Sequence, residues 1–185
     1  ELEQRYKLTP TDLAHYIPPT VAEVESLGLD VQYLGYYERW HPQGLYYFAV
    51  EKGGFEPAPT RNPGTYSKYG SLDDKLDDLH WYTTFIKFGI GHATFDASQE
   101  IRNGDITREE GVALVRRFDG ERPTRFLDQL LDYLTVDTRL GQEVRYQFTN
   151  PDMTESIFDQ IVDNFRSPHL WARQADSWIL RHQVT

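Results

Sequence analysis

A series of apolar stripes at helical spacing, each cut short by glycine or proline, leaves this chain few choices besides a helical one. Leu72, Leu76, Leu79, Thr83, Ile86 and Ile90 share one face of a helix predicted over about Leu72 to Gly89, with Gly89 and Gly91 as its stop. Phe126, Leu127, Leu130, Leu131 and Leu134 form another stripe, and Pro123 suits the first position of that helix. Ile157, Phe158, Ile161, Val162 and Phe165 repeat the pattern before Pro168. Shorter helices are expected from Leu45 to Lys52, closed by Gly53-Gly54, and from Thr94 to Arg102, ended by Asn103-Gly104. Thr107 and Glu110 make a capping box that opens a helix running to Phe118, stopped at Gly120.

The two ends differ from this middle. Thr20 is placed to cap a short helix from Val21 to Leu27, ahead of Gly28. Leu29 to Tyr37 (LDVQYLGYY) is a near-continuous apolar and aromatic run, as expected of a strand buried on both faces. Helix then strand is half of an α/β unit, so residues 1–38 read as the tail end of an α/β domain and 39–185 as a helical lobe. Trp178, Leu180, His182 and Val184 alternate with Ile179, Arg181 and Gln183, predicting a strand that pairs with Leu170 to Arg173. Glu56 to Gly70 is a loop by its proline and glycine content, and Thr135 to Pro151 fits no period and is expected to be a surface insertion. The chain opens at Glu1, its one Met is Met153, and its lone strand lacks a partner, so it reads as a piece of a longer protein. The fold class is mainly α, with a little strand at each end.

Composition narrows function. With 39% hydrophobic and 26% charged residues over 185 positions, the chain is globular rather than disordered. A net charge of -10 repels phosphate backbones, so no nucleic-acid partner is expected. The absence of cysteine removes disulfides, thiolate zinc sites and a cysteine nucleophile together. No apolar run approaches the roughly 18 residues of a membrane span, and a cytoplasmic protein is the expectation. The histidines show no HExxH spacing and no G-x-S-x-G elbow exists, so neither a protein-held metal nor a self-contained hydrolase is expected.

Three groups of residues carry candidate chemistry. Asp73, Asp77, His80, Thr84 and Lys87 follow one another on a polar helix face, where carboxylates suit a magnesium ion and Lys87 a phosphate. A solvated helix face has the same pattern. In the loop, Thr65, Tyr66, Ser67, Lys68 and Tyr69 mix hydroxyls, phenols and a lysine suited to a polyhydroxylated or phosphorylated ligand. Asp96, Gln99, Glu100 and Asn103 share a further face, with Arg102 directed elsewhere, and such acids and amides hold sugar hydroxyls or simply coat a surface.

The run GTYSKYGSLDDKLDDLHWYTTFIKFGIGHATFDASQEIRNGDITREEG, residues 64–111, closely resembles the C-terminal part of bacterial N-acetyl sugar amidotransferases. HYIPPTVAEVESLGLDVQYLGYY, FRSPHLW and WILRHQV are similar to the same family, and the resemblance covers roughly residues 15–185. It implies the helical C-terminal lobe of an α/β PP-loop ATP pyrophosphatase, akin to the synthetase half of asparagine synthetase. The implied reaction converts a sugar acetamido group to acetamidino through an adenylylated intermediate and ammonia. Its implied setting is synthesis of lipopolysaccharide O-antigen or of nonulosonic acids such as pseudaminic and legionaminic acid. ATP and magnesium are the implied cofactors of the full-length enzyme, and a glutaminase is the implied ammonia-donating partner. The family's pyrophosphate loop and N-terminal cysteine motif are not in this sequence, so tight ATP binding by this chain is not expected. On this basis Lys87 and Lys68 are the catalytic candidates. Thr65, Tyr66, Ser67, Tyr69, Asp77, His80, Thr84, Asp96, Glu100, Arg102 and Asn103 are the candidates for holding the N-acetylated sugar. A non-catalytic module docking the glutaminase is the main alternative; an independent metal enzyme using Asp73, Asp77 and His80 is a third.

Overall fold

A computed structural model describes residues 7–134 and 153–185, so the insertion expected at 135–151 lies outside the described residues. The chain divides into two units, Glu1–Trp40 and His41–Thr185.

The first unit holds helical turns α1 (Pro10–Leu13), a 3-10 turn (Ala14–Tyr16), α2 (Val21–Ser26) and α3 (Leu34–Tyr37). Thr9 with Asp12, and Thr20 with Glu23, form capping boxes at the starts of α1 and α2. None of these elements buries a residue. The strand expected from Leu29 to Tyr37 is therefore a correction. Leu29, Val31 and Tyr33 are 65%, 79% and 80% exposed, and Leu34 to Tyr37 closes a helical turn instead. A doubly buried strand needs ladder partners and a covering layer. The described residues of this unit contain no strand, so the backbone settles for local bonds such as Tyr36 N–H to Tyr33 O at 2.9 Å.

The second unit is built from α4 (Pro42–Gly53), α5 (Asp77–Phe88), α6 (His92–Asn103), α7 (Arg108–Phe118), α8 (Leu127–Leu134) and α9 (Glu155–Asn164). It ends in an antiparallel hairpin of β1 (Trp171–Gln174) and β2 (Ser177–Leu180), with Trp171 opposite Leu180. The expected C-terminal hairpin is thus present, and the mainly helical class with it. The core gathers Leu79 and Ile86 of α5, Leu127, Leu130 and Leu131 of α8, Phe158 and Val162 of α9, and Trp171 of β1. Trp171 donates its indole N–H to the carbonyl of Ile86 at 2.6 Å, so burying the ring leaves no polar atom unpaired.

Two helix starts differ from expectation. α5 begins at Asp77 rather than Leu72, because the Asp74 carboxylate accepts the Leu76 N–H at 2.8 Å and Ser71 sits at φ +51°. α8 begins at Leu127 rather than Pro123, because Phe126 takes φ +64°, a left-handed value no α-helix can contain. The capping box at Thr107 is present, and Gly54, Gly89 and Gly104 close α4, α5 and α6 in left-handed conformation.

α6 is fixed from both sides. At its start Asp119 accepts the N–H groups of Gly91 and Thr94, each at 3.1 Å, and the Thr94 hydroxyl. A Cβ on Gly91 would stand 2.5 Å from that carboxylate, so only glycine lets it approach. Along its length α6 meets α7 closely: a Cβ on Gly111 would lie 2.6 Å from Ile101.

Candidate functional site

The loop 56–70 is irregular but strongly braced. Arg61 clasps the Glu121 carboxylate with two N–H groups at 2.6 and 2.7 Å, and lies over the Phe118 ring at 4.8 Å. The Gly64 N–H donates to the same carboxylate at 2.9 Å, and the Gly64 carbonyl accepts from Ala93 of α6 at 3.0 Å. Buried Asn62 donates its side-chain amide to the Gly70 carbonyl at 2.7 Å, closing the loop on itself. Backbone bonds from Ala58 to Lys68 and from Asn62 to Ser67, both 2.9 Å, complete the frame.

So held, the loop lays its side chains along α6. The Thr65 and Ser67 hydroxyls donate to Asp96 at 2.6 and 3.0 Å, and the Tyr66 phenol donates to Glu100 at 2.9 Å. Tyr69 reaches the other way, donating to Gln43 of α4 at 2.9 Å while its ring stacks on Tyr46 at 4.5 Å and 18°. His41 at the start of α4 meets both oxygens of Asp105 at 3.0 Å. Loop, α4 and the end of α6 thereby enclose a cleft of about 520 Å³, whose walls include Tyr46, Tyr66, Lys68, Tyr69, Glu100 and Asp105.

The electrostatics are set by burial among carboxylates. Burial pushes the Glu100 proton affinity up, although the Tyr66 hydroxyl opposes that by bonding the ionised form. The Tyr69 phenol is pushed up to about 12, first by burial and then by Asp96 and Glu100, and Tyr66 is pushed higher still. Both phenols are therefore neutral hydrogen-bond donors near neutral pH. Behind them, burial lowers the proton affinity of His92, whose ring stacks on Trp81 at 4.5 Å and 9°. That imidazole is buried and does not line the cleft.

The candidates from the sequence fall into separate places. Thr65, Tyr66, Ser67, Lys68, Tyr69, Asp96 and Glu100 come together around the loop and α6. Arg102 and Asn103 sit at the end of α6 and do not line the cleft. His80, Thr84 and Lys87 line a different groove of about 420 Å³ between α5 and α9, walled by Phe88, Phe158, Ile161 and Phe165. Lys87 leans its ammonium over Phe88 and Phe165 at 5.4 and 5.6 Å. Asp77 lies in the first turn of α5, outside both clefts, and among the described residues no group of three acids or histidines is placed to hold a metal ion. Lys68 and Lys87 therefore do not share a cleft. Sequence reasoning missed His41, Gln43, Tyr46, Tyr47 and Asp105, which are brought to the loop by tertiary folding. The neighbouring pair Tyr46-Tyr47 on one helix was the available signal.

A mainly helical domain in which a braced loop and a central helix frame an aromatic, acid-lined hollow defines a protein with a ligand-sized binding cleft. Its family follows from the sequence match: residues 63–184 fit the model of the LPS biosynthesis protein WbpG-like, C-terminal domain, and the chain belongs to that family. The match begins at the cleft's loop and takes in α6, while α4 precedes it. No curated protein matches the chain. Among the described residues no helix is long and apolar enough to cross a membrane.

Proposed function

We propose that the protein is the sugar-holding C-terminal part of an N-acetyl sugar amidotransferase. The overall reaction consumes ammonia and ATP: ammonia nitrogen replaces a sugar's acetamido oxygen, which departs with AMP as pyrophosphate is released, giving acetamidino, within lipopolysaccharide O-antigen or nonulosonic acid biosynthesis. The supporting observation is the cleft between loop 56–70 and α6, most of whose walls lie in the segment that matches a lipopolysaccharide-biosynthesis family. A pyranose presents an apolar C–H face and an edge of hydroxyls. Tyr46 and Tyr69 offer rings for the face, and Gln43, Glu100 and Asp105 offer acceptors for the edge. The braces on the loop hold these groups in place before a ligand arrives, which preserves affinity that ordering a mobile loop would consume. An amide is a weak electrophile, so the reaction needs its carbon held in place for ammonia. ATP and magnesium, implied by the resemblance, do not fit the described residues: no acid cluster converges, and Lys68 is the one cation among the cleft's lining residues.

Titration with N-acetylglucosamine, followed by NMR, tests this. Saturable binding is expected, weakened about tenfold by Tyr69→Ala, which corresponds to about 1.4 kcal/mol, and unchanged by Lys87→Ala. Absence of saturable binding by N-acetylated hexosamines, free or nucleotide-linked, would refute it. The groove between α5 and α9 favours a second reading, a docking module for the glutaminase, because Phe88 and Phe165 stand 58% and 57% exposed beside it. Under that reading Phe165→Ser abolishes co-purification with the glutaminase while sugar binding survives.

A further inference from the structure

The two oxygens of Glu100 offer about four acceptor positions, and the Tyr66 hydroxyl takes one of them, at 2.9 Å on Oε2. Glu100 lines the cleft and is partly buried there. Around it the charge is one-sided. Asp105 shares the cleft wall, its oxygens turned to His41. Asp96 lies behind the loop, accepting from Thr65 and Ser67. The opposing charge among the lining residues is Lys68, which is exposed. Four tyrosines line the cleft beside Gln43, Ser67 and Ile106, two of them, Tyr46 and Tyr69, stacked on each other at 4.5 Å, and tyrosine ring faces carry partial negative charge. Such a cleft repels an anion and attracts a cation. A flat cation with paired N–H groups fits best, since it meets a carboxylate through two parallel hydrogen bonds and lies against a ring.

We infer that this cleft selects a planar amidinium over the isosteric neutral amide, with Glu100 as its ion partner and the tyrosine rings as its walls. The inference rests on the amidotransfer reading, in which the acetamido end of the sugar is neutral and the acetamidino end is an amidinium. A cleft with this preference holds the reacted group more tightly than the unreacted one, so it favours the charge that develops as the amide is converted. It also makes the amidino sugar a product inhibitor.

The test compares 2-acetamidino-2-deoxyglucose with N-acetylglucosamine, and acetamidinium with acetamide as sugar-free probes, by NMR titration of the whole chain. The amidino sugar is expected to bind at least about tenfold more tightly. Glu100→Gln, which keeps an acceptor oxygen but removes the charge, should bring the two sugars within about twofold of each other by weakening the amidino form more than the acetamido form. Glu100→Asp, which retains the charge, keeps a preference and guards against a folding defect in the first variant. Equal affinities in the native protein, or a preference that survives Glu100→Gln, overturn the inference while binding of the acetamido sugar leaves the amidotransfer reading standing. Glu100-dependent binding of acetamidinium with no binding of either sugar upholds the cation site and removes the sugar reading. No binding of any probe overturns both.

Discussion

Arg125→Met would strand a carboxylate in the core. The Asp78 side chain is 4% exposed and accepts from Arg125 Nε at 3.0 Å and Nη2 at 2.9 Å. Removing one partner of a buried ion pair costs about 3–5 kcal/mol, because the remaining charge loses both water and counter-ion. Two features soften this. Arg125 is itself 28% exposed, so solvent reaches part of the pair, and Asp78 lies in the first turn of α5, where free N–H groups favour a negative charge. The expected loss is about 2–3 kcal/mol. Urea unfolding followed by tryptophan fluorescence reads it as a lower midpoint at unchanged slope. The double variant Asp78→Leu/Arg125→Met removes both charges and should recover most of the loss, since no ion remains to be desolvated. A single-variant loss below about 1 kcal/mol, or a double variant no more stable than the single, would refute the account of Asp78 as a buried charge dependent on Arg125.

Gly120→Ala should be destabilising by at least about 2 kcal/mol, since Gly120 has φ +79° and an added Cβ would stand 2.3 Å from the Phe85 ring. Phe85 would be driven from its edge-on contact with Trp171, visible as a changed near-ultraviolet circular dichroism spectrum; a silent substitution contradicts the packing. Alkaline stability should fall between pH 10 and about 12, because the Tyr69 phenol is raised to about 12 in the folded state. An unfolded tyrosine releases its proton near pH 10, so the unfolded chain gains across that window while the folded one cannot follow. Tyr69→Phe should flatten that decline, and unfolding free energies that stay level from pH 10 to 12 in the native protein would argue against a buried phenol.

What the sequence made legible was local. The Thr20 and Thr107 caps, the glycine stops at Gly54, Gly89 and Gly104, and the C-terminal hairpin depend on residues within a few positions of one another. The segment Leu29 to Tyr37 was misread because a strand's burial is a property of its neighbours, and its composition carries no record of whether they are present. Pro123 is a good helix opener, yet Arg125 turns to Asp78 far along the chain and Phe126 takes a left-handed backbone. At the site, the run of hydroxyls in the loop and the polar Asp96–Glu100 face of α6 were readable. That they belong to one cleft was not, because Tyr66 bonds a residue 34 positions on. The polar face of α5 was legible but its cover was not: α9 lays Phe158 and Phe165 beside it, so His80, Thr84 and Lys87 line a groove with largely apolar walls.

The clasp between Arg61 and Glu121 has a consequence for rates. A segment of prolines and glycines would ordinarily wander, and a visiting molecule would have to wait for the right shape. With its midpoint riveted to Glu121, just beyond the end of α7, this one keeps its tyrosines on station between encounters. Loosening the rivet at Glu121 should therefore slow capture more than it hastens escape, a change that a stopped-flow trace separates from any loss of contact with the visitor itself.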